Sequence, residues 1–206
     1  MFSDVDSLLN VLFRWAHVIF GIIWIGHLYF FNLVNVPFQA DLDKELKPKV
    51  NPKLLLRALY WFRWGAMWTF IFGLVLFAFK YGHQKLFFAD PVNRSGISNR
   101  AVWISFGALI GIIMWFNVWF VIWPRQKKIL GGLVAGTPHP DTAKLAATAG
   151  KASRFNTYAS GPMLFCMIVP NNYAGWSPLA ILLVLIVGAG FWVGMIKRSG
   201  KIKPVV

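Results

Sequence analysis

Residues 101–123 read AVWISFGALIGIIMWFNVWFVIW, 23 positions without one charged side chain. Wound as an α-helix at 1.5 Å per residue, the stretch reaches about 34 Å, enough to cross the roughly 30 Å hydrocarbon core of a bilayer. Lipid offers no partner to a backbone N–H or C=O, so such a run must satisfy its own backbone as a helix. Working outward, similar apolar runs predict spans at 8–36, 61–79, 155–169 and 178–196. The expected fold is therefore all-α, an integral membrane bundle of about five transmembrane helices in one membrane domain, 1–206. Pro37 and Pro124 are expected to stop the first and third spans, because proline lacks an N–H and restricts the residue before it. The fourth span is short and carries Gly161-Pro162, a kink that neighbouring helices can satisfy. A separate surface helix is expected over 141–152, where small residues follow a Gly- and Pro-rich turn.

Of the 206 residues 57% are hydrophobic and 14% charged, and the net charge is +14. That excess of Lys and Arg resembles a nucleic-acid binder's, but no reading motif accompanies it and the charges lie between the apolar runs. There they set orientation and meet anionic headgroups. Fifteen basic residues fall in the first loop, the third loop and the C-terminal tail, against four around the second loop. The positive-inside rule then puts the N-terminus outside and the C-terminus in the cytoplasm, with a bacterial inner membrane as the expected location. Asp4 and Asp6 stand where a signal peptide would carry positive charge, so the first helix is expected to be retained. The single cysteine, Cys166, excludes an internal disulfide, a four-thiolate metal site and covalent c-type haem.

Arg14, His17, Gly21 and Trp24 are spaced three, four and three apart, which places them on one helical stripe. Ionisable groups within a membrane normally face protein, water or a cofactor. Gly21 leaves space one turn from His17, enough for a flat ring or for a neighbouring helix. His17 thus reads either as an axial ligand of b-type haem, the chain's candidate metal ligand, or as a histidine bonded to a neighbouring helix. His27, ten residues on, lies about 15 Å along the axis and cannot ligate the opposite face of the same iron; its structural reading is favoured. Arg14 and Arg63 suit haem propionates or a lipid phosphate, or else snorkel to the interface. Asn117 reads as interhelical glue, and His83 and His139 as loop histidines. Asn93-Arg94-Ser95 is a glycosylation sequon, and no carboxylate pair lies inside a span.

Three segments resemble the membrane domain of cytochrome-c-linked urate hydroxylases. They are 14–19 (RWAHVI) with 21–26 (GIIWIG), Asn117 with 121–129 (VIWPRQKKI), and 152–157 (ASRFNT) with 160–167 (SGPMLFCM). The resemblance implies a membrane redox domain which, in its relatives, is fused to a cytochrome c and tied to purine oxidation. It also implies a second histidine facing His17, at the position occupied here by Asn172 within Asn171-Asn172-Tyr173. The sequence 194–198, GMIKR, lacks the family's arginine–histidine pattern.

Two functions follow. One is an accessory or electron-transfer subunit of a membrane complex, possessing the fold and with or without haem. The other is a membrane oxidoreductase that passes electrons from purine or urate to a cytochrome c. A small-solute transporter is a third, weakened by the lack of acids within the spans. The partners implied are the lipid bilayer and other membrane subunits or a cytochrome c, with no nucleic acid.

Overall fold

A computed structural model of the chain describes residues 2–83, 88, 96–172 and 175–202. Lys85, the sequon at 93–95, Tyr173 and Lys203 lie outside the described residues. Among the described residues every regular element is helical: α1 (Phe2–Tyr29), α2 (Val36–Asp41), α3 (Lys47–Phe77), α4 (Asn99–Phe116), α5 (Trp123–Val134), α6 (Thr142–Ile168) and α7 (Pro178–Ser199). Three π-helical segments, Phe30–Asn35, Ala78–His83 and Asn117–Ile122, extend these into long rods, and a 3-10 turn, Val169–Asn171, ends α6.

The two stop-signal prolines do not stop their helices, which run on to Asp41 and Val134. A proline removes the N–H that would bond the carbonyl four residues back, and its ring crowds that carbonyl. In both rods a π-helical segment lies just ahead of the proline. The Val36 N–H bonds the Phe31 carbonyl and the Trp123 N–H bonds the Val118 carbonyl, each five residues back. The wider turn absorbs the mismatch and the rod continues. The carbonyl that Pro37 leaves free, that of Leu33, accepts a hydrogen bond from the Ser199 hydroxyl at the end of α7. The third rod ends at Gly136, whose φ of +71° is open to glycine, with the Thr137 N–H bonding the Gly132 carbonyl at 3.0 Å.

Four helical stretches are long and apolar enough to cross a membrane: Asp4–Asp41, Lys47–His83, Asn99–Val134 and Pro178–Ser199. The fifth traverse is α6. Its 27 residues span about 40 Å, and the expected surface helix over 141–152 is its first turns rather than a separate element. At one end of the bundle the Ser199–Leu33 bond joins the end of α7 to the first rod. Residues 31–36, 55–62, 122–126 and 146–154 meet at this same end around one cleft. At the other end His83 Nε2 lies 3.7 Å from Asp6 and the Trp103 indole donates to the Gly175 carbonyl at 2.8 Å. The first and third connections and the end of α7 therefore share one end, and five traverses link it to the other.

The expected span at 155–169 is the second half of α6; over its whole length the helix is more polar than the other four traverses, and its uncharged polar side chains face its neighbours. Asn156, Thr157 and Ser160 are fully buried. Asn156 donates to the Met114 carbonyl (2.9 Å) and accepts from Asn117 (2.9 Å); Ser160 meets the Tyr29 hydroxyl (3.0 Å) and Ser153 accepts from Asn32 (2.8 Å). Each such interhelical bond contributes on the order of 0.6 kcal/mol in a membrane bundle. Around them Trp24, Leu28, Phe62, Met114, Val118 and Leu130 form the apolar core. α6 and α7 approach backbone to backbone: a Cβ on Gly161 would lie 2.6 Å from the Gly188 carbonyl oxygen. The outward faces, among them Trp15, Ile22, Phe116, Val187 and Phe191, are apolar and exposed, as a lipid-facing surface requires.

Candidate functional site

The expected stripe on α1 splits between three environments. Arg14 is exposed and its guanidinium donates to Asn10, one turn back, at 3.4 Å. His17 is half-buried in the α1–α3 seam, where Nδ1 donates to the Thr69 carbonyl at 2.9 Å, a pairing that fixes the proton on Nδ1. The imidazole lies directly over Gly73, where a Cβ would come within 3.0 Å of Cε1. The space expected beside Gly21 faces the Thr69 methyl, which lies in ordinary van der Waals contact, 3.9 Å from where a Cβ would sit. Trp24 is in the core, 2% exposed.

The remaining candidates lie apart from this seam. Arg63 is stacked 3.8 Å from the centroid of the Trp123 ring. Its neighbour Gly65 packs on Trp24, so Arg63 sits some 15–20 Å along the bundle from the level of Arg14. Two guanidinium groups so far apart do not clamp one pair of propionates. Asn172 follows the 3-10 turn at the end of α6, exposed, and its amide donates to the Ile168 carbonyl at 2.9 Å. His27 bonds the Ile23 carbonyl of its own helix at 2.7 Å. These residues do not converge on one haem-sized space.

Sequence reasoning missed a different site at the basic end. A cleft of about 440 Å³ opens between the first rod, α3, the third rod and α6. Its floor is apolar, with Phe31, Leu59, Phe62 and Ile122, and α6 supplies a wall of small residues, Ala146, Ala147, Ala149 and Gly150. Asn32, Asn35, Gln126 and Ser153 add polar groups, and Lys151 and Arg154 stand exposed at the rim. Asn32 is 4% exposed and anchored through its amide nitrogen to the Leu28 carbonyl and Ser153. Asn32 and Asn35 at i, i+3 near the end of an apolar run were the available signal. Their π-helical turn, which aims them at the cleft, has no sequence signature beyond the proline that follows.

Four buried donors, Trp24 Nε1, Trp115 Nε1, Trp119 Nε1 and Arg63 Nε, have no hydrogen-bond partner among the described residues. The Trp103 indole, equally buried, is paired. Among the described residues no group of three His, Cys, Asp or Glu side chains is placed to hold a metal ion.

A family model described as urate oxidase N-terminal matches residues 86–198, more than half of the chain. The matched stretch includes Asn117, the VIWPRQKKI segment, most of α7 and Asn172, while the α1 segment with His17 lies before it. No match to the chain was found among curated proteins or among solved structures.

Proposed function

This chain belongs to the urate oxidase N-terminal family, and from that premise we propose that it is an accessory membrane subunit of a redox complex rather than the complex's catalytic centre. The observation that carries this reading is the packing of His17: its Nδ1 is bonded to Thr69, Gly73 lies against its ring, and the Thr69 methyl borders the space beside Gly21. An amide turned back on its own helix at Asn172 supports the same reading. The complex is expected to contain other membrane subunits or a cytochrome c that receives electrons. The basic end of the bundle is placed in the cytoplasm, and the membrane is taken to be a bacterial inner membrane.

A second reading rests on one feature of the same histidine. A ring whose Nδ1–H donates to a carbonyl keeps the lone pair on Nε2, the arrangement typical of metal-ligating histidines. On that reading His17 binds b-type haem as a sole protein ligand and the chain takes part in purine or urate oxidation. A reduced-minus-oxidised visible spectrum of the purified protein separates the two. The accessory reading expects no haem α-band; a band that disappears in His17→Ala while the protein still folds would overturn it.

A further inference from the structure

The cleft at the basic end has no role in the reading above, and its chemistry points to a ligand of its own. Lys151 and Arg154 are one turn apart on α6, both exposed at the rim, and neither has an ion-pair or hydrogen-bond partner among the described residues. No Asp or Glu lines the cleft. Two free cations beside amide donors attract an anion with several acceptor oxygens. The cleft is larger than such an anion needs, its roughly 440 Å³ falling in the range of sites that take small organic molecules. The remainder is walled by Phe31, Leu59, Phe62 and the small residues of α6, which suit hydrocarbon. The buried Asn32 sits between the two parts, and its Oδ1 takes no hydrogen bond among the described residues, leaving an acceptor for a hydroxyl.

The place in the fold fits the same ligand. The cleft lies where the helices end in basic connections, the depth of lipid headgroups, and basic pockets between membrane helices bind anionic headgroups. Two of its borders are π-helical, Phe30–Asn35 and Asn117–Ile122, a distortion that recurs at functional sites. We propose that this cleft binds one anionic phospholipid, its phosphate between Lys151 and Arg154, its glycerol region at Asn32 and Gln126, and its acyl chains leaving toward the bundle centre along the apolar floor of Phe31, Phe62 and Ile122.

The test is lipid binding to the full chain in neutral detergent, read by native mass spectrometry and by the lipid-induced shift in thermal unfolding. Phosphatidylglycerol is compared with phosphatidylcholine, with inorganic phosphate and with glycerol 3-phosphate. Phosphatidylglycerol is expected to be retained and to raise the unfolding temperature, the other three to do so weakly or not at all. The double variant Lys151→Gln/Arg154→Gln is expected to bind it roughly 30-fold more weakly, from two lost charge contacts near a headgroup. Ala147→Phe keeps both charges and fills the wall, and is expected to weaken retention as well. Lys127→Gln/Lys128→Gln, outside the cleft, is expected to leave binding within about twofold. Equal stabilisation by inorganic phosphate or glycerol 3-phosphate would show a soluble-anion site and overturn the lipid assignment. Equal retention of phosphatidylcholine, or unchanged retention in both cleft variants, would overturn it too. None of these outcomes depends on whether His17 binds haem.

Discussion

Single side chains in this bundle are distinguished less by burial than by whether their polar atoms are paired. Trp24 and Trp103 are 2% and 1% exposed, and changing either to Phe removes the same ring volume. Trp103→Phe also deprives the Gly175 carbonyl of its donor, whereas Trp24→Phe removes an N–H that has no partner among the described residues. Trp103→Phe is therefore expected to be the more destabilising by about 1–3 kcal/mol, measured by unfolding in mixed detergent micelles. Asn117 and Asn156 are coupled directly, so a double-mutant cycle with Leu at each is expected to give a coupling of about 0.6–1.7 kcal/mol; additive effects would refute the bond. The polarity of these positions was legible in the sequence, and so was the interhelical role of Asn117. Helical spacing also put His17, Gly21 and Trp24 on one face of α1. Spacing does not say what the facing helix places there, and the Thr69 methyl and carbonyl, 52 residues away from His17, decide what that face can hold.

Among the helices, hydropathy located the four apolar traverses and misjudged the ends of the rods. Proline is a stop signal only where the backbone ahead of it stays α-helical, and here the π-helical segments before Pro37 and Pro124 remove the clash. The length of α6 was hidden for the opposite reason. Its residues Asn156, Thr157 and Ser160 are buried against its neighbours rather than exposed, so a scale that scores each side chain as if it met lipid underrates the helix. Its seam with α7 depends on two glycines. A Cβ on Gly188 would lie 2.8 Å from Pro162 Cδ and 2.9 Å from the Pro162 nitrogen, whereas one on Gly190 meets nothing within 4 Å. Gly188→Ala is expected to push the helices apart and lower stability by about 1–3 kcal/mol. Gly190→Ala is expected to be neutral or slightly stabilising, since alanine is the better helix former. Thermal unfolding of the two variants side by side checks the contrast, and equal effects would mean that the seam tolerates a methyl.

For the molecule as a whole, the charge count in the sequence and the five traverses in the structure agree on which connections share an end. Cysteines introduced at positions 49, 144 and 201 are expected to react with a membrane-impermeant thiol reagent only from the cytoplasmic side. One at position 83 should react only from the other side, and labelling of position 49 from outside would reverse the orientation. Cys166, 1% exposed, gives little background. The bond between Ser199 and the carbonyl that Pro37 frees bears on how the chain is made. The ribosome delivers Pro37 long before Ser199, so the Leu33 carbonyl lacks this hydroxyl until α7 has emerged. α6 depends on its neighbours in the same way, because its polar face is acceptable to a bilayer only once α1 and α4 cover it. Insertion should thus complete cooperatively and late. A chain ended at residue 177 is expected to leave α6 open to protease in freshly synthesised membranes, while the 206-residue chain protects it and Ser199→Ala, which lacks only this latch, retains that protection but unfolds at a lower temperature.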